Sequence, residues 1–205
     1  WKGERDTIMT PLDSIRYYKH FLQSGLMAME PQTGNIKAWV GGINYKYFQY
    51  DHVGQGARQV GSTFKPFVYA TAIEQLGMSP CDTILDGPFM IRKGRHHVTE
   101  DWEPRNSNNQ YRGMVTLKQG LANSINTISA KLIDKTGPEA VIELTHKLGV
   151  KSDIPAQPSI ALGAVDITVQ DMVAAYGTFA NQGVYVKPQF ISRIEDKSGV
   201  VIYEP

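Results

Sequence analysis

A chain of 205 residues, 41% of them hydrophobic, is long enough to bury one sizeable core, and its formal net charge of +1 gives no electrostatic signature for nucleic acid or an anionic membrane surface. The single cysteine, Cys81, excludes an internal disulfide, and no apolar run is long enough to span a bilayer. We therefore expect a globular domain that contacts neither nucleic acid nor membrane and that uses no cofactor.

The first predicted elements are a helix and a β-hairpin. Thr10 and Pro11 are typical of a helix start, and Gly25 is expected to end that helix. Alternating segments at 26–30 and 35–40, on either side of a Pro-Gln-Thr-Gly turn, predict the hairpin. The helix has an apolar and aromatic face that is predicted to pack against the rest of the protein. This face consists of Leu12, Ile15, Tyr17, Tyr18, Phe21 and Leu22.

A long polar loop, 41–60, is predicted to lead into the second helix. Pro66 is tolerated in the first turn of a helix but not in its interior, so this helix should begin near Ser62. It should end near Leu76, with Gly77 as a left-handed cap.

The helix start Ser62-Thr63-Phe64-Lys65 is a candidate nucleophile and base. Lys65 would lie one turn after Ser62 on the same face, and a serine hydroxyl needs a neighbouring base to become a good nucleophile. The helix dipole would favour an alkoxide at Ser62, while burial and nearby positive charge would help to keep Lys65 neutral. The alternative for Ser-x-x-Lys on its own is a structural helix start.

A second polar motif, Ser124-Ile125-Asn126, follows a helix that Thr116 and Gln119 are placed to cap. The polar residues interrupt this helix before a helical pattern resumes over 127–134. Such a break can direct two polar side chains into a cleft; the alternative is a joint in which Ser124 or Asn126 caps the next helix.

The remaining pattern completes an α+β chain. Residues 77–112 are expected to be irregular. Thr168 is placed to cap a helix through Asn181, and segments 190–195 and 200–203 predict a second hairpin.

Together these features resemble the penicillin-binding transpeptidases, and more closely the transpeptidase domain of class A bifunctional penicillin-binding proteins. Besides the two serine motifs, the resemblance is carried by segments 26–34, 38–42, 58–67, 102–106, 115–117, 161–164 and 174–183. It implies the α+β fold of penicillin-binding proteins and serine β-lactamases, a helical cluster plus an antiparallel sheet.

The resemblance implies a role for each candidate residue. Ser62 looks like the nucleophile that attacks the penultimate D-alanine carbonyl of a peptidoglycan stem peptide, and Lys65 like the base that takes its proton. Ser124 is similar to the family's relay hydroxyl, and Asn126 to the amide that orients the substrate backbone. A neighbouring stem-peptide amine would then form the cross-link, and β-lactams would acylate the same serine. Trp102 would line the stem-peptide cleft; core packing is its alternative role.

The family's third motif, a Lys-Thr-Gly strand, is expected to lie beyond this sequence. Lys135-Thr136-Gly137 has the same composition, but it falls at the end of a helix, and Pro138 is placed to open the next helix, through Leu148. We interpret it as a helix terminator. Residues 1–205 are therefore expected to form a single partial transpeptidase domain, incomplete at its C-terminal end. Within it, 1–23 would be a helix and linker from an upstream domain.

The resemblance also bears on the parent protein. It implies an upstream peptidoglycan glycosyltransferase domain, a membrane anchor, and a location at the periplasmic face of the bacterial inner membrane. The expected partners are peptidoglycan stem peptides and β-lactam antibiotics.

Two other functions are compatible with the same fold. A class A β-lactamase would need a glutamate in a Glu-x-x-x-Asn loop, and none of the glutamates after Asn126 has that context. A non-catalytic β-lactam sensor or scaffold is the other. The adjacent pair His96-His97 lacks partners at metal-ligand spacing, so we expect loop histidines and no metal site.

Residues 1–205 alone are expected to be nearly inactive. In the family, the missing strand supplies one oxyanion-hole donor, and loss of one such donor typically costs about a hundredfold or more in rate. Mass spectrometry after incubation with a penicillin checks this expectation. Rapid, stoichiometric acylation of Ser62 would contradict it.

Overall fold

A computed structural model of the chain describes residues 5–204 and has the mixed α+β composition that the sequence predicts. The helices are α1 (Pro11–Lys19), α2 (Lys65–Leu76), α3 (Leu117–Ala122), α4 (Asn126–Thr136), α5 (Pro138–Lys147) and α6 (Val169–Ala180). Short 3₁₀ helices cover Gly61–Phe64, Arg95–His97 and Pro158–Leu162. Residues 1–4 of the predicted upstream segment, and Pro205, lie outside the described residues.

The strands form two-stranded antiparallel sheets. These are β1 (Leu26–Met29) with β2 (Ile36–Val40), β3 (Ala57–Gln59) with β6 (Asp166–Thr168), β4 (Thr83–Asp86) with β5 (Gly113–Thr116), and β7 (Ile194–Glu195) with β8 (Val201–Tyr203). The pairing of β3 with β6 joins distant parts of the sequence immediately before Ser62. Between residues 5 and 204, no helix is both long and apolar enough to cross a membrane.

Helices α2 and α4 pack directly against each other at the centre of the hydrophobic core. Both are lined with apolar side chains that are excluded from solvent, and α5 and the 3₁₀ helix at 158–162 cover them. The fully buried residues include Phe64, Phe67, Val68, Ile128, Leu132, Ile133, Val141 and Ile160. Burying a side chain of this size contributes about 1.5–3 kcal/mol to the stability of the fold. The packed side chains therefore fix the position of α2 relative to α4.

Most of the predicted helix boundaries are confirmed. Thr116 and Gln119 form a reciprocal capping box at the start of α3, and the Thr168 hydroxyl accepts the Asp171 backbone N–H at the start of α6. Gly77 ends α2 in the left-handed conformation. The hairpins β1–β2 and β7–β8 are also present, the second with shorter strands than predicted.

The Lys135-Thr136-Gly137 segment is a helix terminator, as predicted. Helix α4 ends at Thr136, Gly137 follows with a positive φ of 83°, and Pro138 is the first residue of α5. The segment therefore belongs to a helix–helix connection and to no strand.

The predicted packing of α1 is wrong. Thr10 caps this helix as expected, but it ends at Lys19, well before Gly25, and buries no residue. Tyr17, Tyr18 and Phe21 are about half exposed and contact one another edge to face or tilted. Helical periodicity shows which residues share a face, but it does not show whether another element covers that face.

The segments expected to be irregular contain two short strands. β4 lies within 77–112 and pairs with β5, and β3 lies at the end of the 41–60 loop. Strands of three or four residues are too short to produce a clear alternating pattern in the sequence. They are recognised as strands only from their pairing with segments distant in the sequence.

Gly163 lies against the residue that precedes Ser62. It adopts a left-handed conformation with φ of 75°, and a Cβ atom there would overlap the carbonyl group of Gly61. A side chain at position 163 would therefore displace the segment that carries Ser62.

We expect Gly163→Ala to destabilise the protein by the strain of a left-handed alanine, about 1–2 kcal/mol, and by about 1–3 kcal/mol of overpacking. Gly183→Ala is the matched control, because Gly183 has φ of 88° and open space around it. Gly183→Ala should be destabilised only by the strain of the left-handed alanine, about 1–2 kcal/mol. Urea unfolding checks both variants; equal losses would contradict the close approach at Gly163.

Candidate active site

Ser62 lies in the 3₁₀ helix that leads directly into α2. The Lys65 backbone N–H donates to the Ser62 carbonyl oxygen, which is the i+3 bond of a 3₁₀ turn. In an α-helix that carbonyl would accept from residue 66, but Pro66 has no N–H. The predicted helix start is correct in position, and the proline accounts for its 3₁₀ geometry. The Ser62 side chain is exposed and, among the described residues, makes no hydrogen bond.

Contacts from the far end of the sequence hold this turn in place. The β3–β6 pairing extends past β3, where the N–H groups of Val60 and Gly61 donate to carbonyl oxygens of residues 165 and 163 at 3.0 and 3.1 Å. The Tyr176 hydroxyl on α6 donates to the Thr63 carbonyl oxygen at 2.8 Å. The backbone around Ser62 is therefore fixed on both sides, while its hydroxyl remains accessible.

Lys65 is the first residue of α2 and is only 1% exposed. Its Nζ donates to the Ser124 carbonyl oxygen at 2.6 Å, the Ser124 hydroxyl at 2.9 Å and Asn126 Oδ1 at 2.7 Å. These contacts match the three N–H groups of an ammonium. Burial lowers the pKa of Lys65 from 10.5 to about 8. A neutral amine is therefore accessible near physiological pH.

Ser124 lies in the break between α3 and α4 and has a positive φ of 51°. A residue other than glycine in this region costs on the order of 1–3 kcal/mol, and the surrounding structure must hold it there. The N–H groups of Ser124 and Ile125 donate to carbonyl oxygens of Leu121 and Gly120, both at 2.9 Å. The strained turn directs the Ser124 carbonyl and hydroxyl to Lys65.

Asn126 begins α4, and its side chain is oriented from both ends. Oδ1 accepts from Lys65, and Nδ2 donates to the Arg105 carbonyl oxygen at 2.8 Å. Because an ammonium only donates and a carbonyl only accepts, these two contacts fix which way the amide faces. One Nδ2 hydrogen and one Oδ1 lone pair remain for a further ligand.

A buried carboxylate lies behind Asn126. Asp86, at the end of β4, is 1% exposed and accepts the Thr127 hydroxyl at 2.5 Å, Asn106 Nδ2 at 2.9 Å and the Arg112 N–H at 2.9 Å. Burial opposes its ionisation, but these hydrogen bonds together hold the pKa of the Asp86 carboxyl below its usual value. The sequence predicted neither Asp86 nor Asn106 as a site residue. The sequence pointed to this region only through Asn106, the last residue of segment 102–106, which is one of the segments that carry the family resemblance.

The other candidate residues lie elsewhere or have other contacts. Trp102 is half-buried and exchanges two backbone hydrogen bonds with Ile91, and its role in a cleft stays a prediction. The His52 ring stacks on Phe48. His96 contacts the Asp134 carboxylate at 3.2 Å. Within residues 5–204, no group of three or more His, Cys, Asp or Glu side chains is placed to hold a metal ion.

The cluster can support acyl transfer. It combines an accessible hydroxyl on a rigid turn, a buried lysine close to deprotonation, and a second hydroxyl that contacts the lysine. These are the parts needed for nucleophilic catalysis with a lysine base.

Models of two protein families match successive parts of the chain. A model of the penicillin binding protein transpeptidase domain matches residues 24–204, and one of the penicillin-binding protein middle domain matches residues 1–22. The chain is 40% identical over 186 residues to penicillin-binding protein 1A of Aquifex aeolicus, which covers 89% of this chain and 25% of that protein. It is 34% identical over 199 residues to penicillin-binding protein 1A of Neisseria flavescens, covering 97% of this chain and 24% of that protein.

Solved structures have the same fold. Penicillin-binding protein 1A from Haemophilus influenzae superposes with a TM-score of 0.81 and 33% identity, over 89% of this chain and 27% of that one. PonA1 from Mycobacterium tuberculosis, in complex with penicillin V, superposes with a TM-score of 0.75 and 24% identity, over 94% of this chain and 54% of that one. The chain spans about a quarter of the length of the 1A relatives it matches.

The buried ammonium predicts a pH dependence of stability. From about pH 8 to pH 10.5 the unfolded chain still carries the Lys65 proton while the folded protein has released it. The free energy of unfolding should therefore rise across this window by roughly 3 kcal/mol, since one pKa unit corresponds to about 1.4 kcal/mol. Lys65→Met should lack this rise. Urea unfolding at several pH values, with exposed Lys118→Met as the control, checks it. Parallel curves for Lys65→Met and wild type would contradict it.

Proposed function

The chain belongs to the family of penicillin-binding protein transpeptidase domains, and we propose that it carries the serine acyl-transfer site of a peptidoglycan D,D-transpeptidase. The observation that most supports this is the contact of buried Lys65 with Ser124 and Asn126. It joins two motifs about sixty residues apart in the chain and puts a titrating amine one turn after an exposed serine.

In the first step, neutral Lys65 takes the Ser62 proton as the Ser62 oxygen attacks the penultimate D-alanine carbonyl of a stem peptide. An oxygen–carbon bond forms and the carbonyl becomes a tetrahedral oxyanion. The Ser62 backbone N–H, at the start of a helix, is suited to donate to that oxyanion. Within residues 5–204 the Ser62 hydroxyl has no hydrogen-bond partner, and catalytic hydrogen bonds of this type often form only when substrate is bound.

In the second step, the intermediate collapses and the carbon–nitrogen bond to the terminal D-alanine breaks. The leaving amine needs a proton, which passes from the Lys65 ammonium through the Ser124 hydroxyl. Of the three oxygens that contact Lys65, only this hydroxyl can donate as well as accept. Ser124 is therefore suited to the relay, and the Ser124 carbonyl and Asn126 hold the amine in place.

The acyl-enzyme then reacts with an amine of a second stem peptide, which forms the cross-link and releases Ser62. Asn126 retains one N–H donor and one lone pair for the substrate backbone. We propose that β-lactams acylate the same serine, in line with the penicillin V complex of PonA1. Trp102 would contribute an apolar wall to the cleft.

The relatives, which are named penicillin-binding protein 1A, support a wider proposal for the parent protein. It would combine this domain with a peptidoglycan glycosyltransferase and act at the periplasmic face of the bacterial inner membrane. Residues 1–23 would then connect this domain to an upstream one, in agreement with the middle-domain match at 1–22.

We expect Ser62→Ala to abolish covalent labelling by a fluorescent penicillin, because no other residue would supply the attacking oxygen. The experiment uses the protein at its full natural length and locates the label by peptide mass spectrometry. Ser198→Ala, which removes an exposed hydroxyl from the β7–β8 turn, is the control and should label normally. A label on Ser62→Ala would overturn the assignment.

A cross-linking assay on lipid-linked stem peptides separates the proposal from its rivals. Wild type should form cross-links and Ser62→Ala should not. Labelling of Ser62 without cross-linking would instead identify a sensor, and continuous hydrolysis of the penicillin would identify a β-lactamase.

A further inference from the structure

Asp86 connects three segments around the start of α4. Its carboxylate accepts hydrogen bonds from the Thr127 side chain, the Asn106 side chain and the Arg112 backbone. An ionised carboxylate can only accept, so each of these donors must turn its hydrogen toward Asp86. The carboxylate also lies close to the positive end of the α4 dipole, which favours its charge.

Asp86 and the Gln110 carbonyl together orient the Asn106 amide. Both Asn106 Nδ2 hydrogens are engaged, one with Asp86 Oδ1 and one with the Gln110 carbonyl oxygen, each at 2.9 Å. The Asn106 Oδ1 atom must therefore face the opposite way. It accepts the backbone N–H groups of Asn126 at 3.0 Å and Thr127 at 3.3 Å.

These contacts replace the missing cap of α4. Ile125, at the N-cap position, has no side chain that can accept a hydrogen bond, and the first N–H groups of a helix need acceptors. Asn106 supplies one from a segment twenty residues earlier. The neighbouring Arg105 carbonyl accepts the Asn126 side-chain N–H. Residues 105 and 106 therefore hold both the backbone and the amide of Asn126.

We propose that Asp86 and Asn106 are positioning residues for the acylation of Ser62, because they hold Asn126 with its Oδ1 facing the Lys65 amine. The inference rests on the proposed acyl-transfer function. The path runs from the Asp86 carboxylate through the Asn106 amide to Asn126, and each link is a hydrogen bond with only one possible direction. Neither residue contacts Lys65 or Ser62 directly among the described contacts.

Replacing the carboxylate removes one of the acceptors that hold Asn106 and the start of α4 in place. In Asp86→Asn one accepting oxygen becomes an NH2 group, so at least one of the donors from Thr127, Asn106 and Arg112 faces a donor and has to move. Asn126 would then lose its fixed position against Lys65. A displacement of about 1 Å at a reacting group can lower a rate about a hundredfold, so we expect the acylation rate constant to fall roughly 10- to 100-fold.

The test is rapid-mixing acylation by a fluorescent penicillin, with the protein at its full natural length. The amplitude reports the fraction of molecules that are folded and reactive, and the limiting rate constant reports the geometry of the site in those molecules. A positioning role predicts a lower rate constant for Asp86→Asn at full amplitude. Asp82→Asn, at an exposed position just before β4, is the matched control and should resemble wild type in both.

A second pair of variants covers the case in which Asp86→Asn does not fold. Thr127→Val removes one donor to Asp86 with little change of shape, and Thr127→Ser retains it. The rate constant should fall for the valine variant and recover for the serine variant. Loss of amplitude with an unchanged rate constant in the foldable variants would overturn the proposal and leave a structural role. Absence of Ser62 labelling in wild type would instead overturn the proposed function.

Discussion

Burial of the Lys65 ammonium among oxygens of Ser124 and Asn126 is the contact on which the site depends. A charged amine removed from water is destabilising unless acceptors replace its hydration, and here three oxygens do so. The same contact joins the start of α2 to the break before α4. The site therefore requires a fixed position of α2 relative to α4, and the apolar packing between the two helices provides it.

The two helices bring their N-terminal ends together at this amine. Lys65 is the first residue of α2 and Asn126 the first of α4. Burial at this junction lowers the pKa of Lys65. Apolar residues farther along α2 and α4 hold the two helices together. The polar residues at the N-terminal ends are therefore available for catalysis. The fold thus separates the residues that provide stability from those that react.

Local patterns in the sequence predicted the parts of this site that depend on neighbouring residues. The three-residue spacing of Ser62 and Lys65, Pro66 in the first turn, and the polar break at Ser124 all indicate where side chains lie within one segment. Lys135-Thr136-Gly137 was also interpreted correctly, because Gly137 and Pro138 end and begin helices through local backbone geometry. The roles that place the two motifs in one active site came from the family resemblance.

What the sequence could not predict depends on partners that are distant in the chain. Asp86 and Asn106 have ordinary local contexts, and only the pairing of β4 with β5 and the course of 102–112 bring them to α4. For the aromatic face of α1 the prediction failed in the opposite way: its local pattern is clear, but Tyr17, Tyr18 and Phe21 remain about half exposed. Periodicity identifies a face, whereas burial depends on the whole fold.

The two buried charges of the site are kept apart by neutral amides. Among the described contacts, Lys65 and Asp86 do not pair with each other. Lys65 donates to the Asn126 side chain, and Asp86 accepts from the Asn106 side chain. The Asn126 backbone N–H donates to Asn106 Oδ1 and so links the two. A direct ion pair would favour the charged amine and raise its pKa, which would oppose its use as a base. Through the amides, the carboxylate can orient the site without fixing the charge of the lysine. The structure thereby combines a rigid site with a lysine that is free to lose its proton.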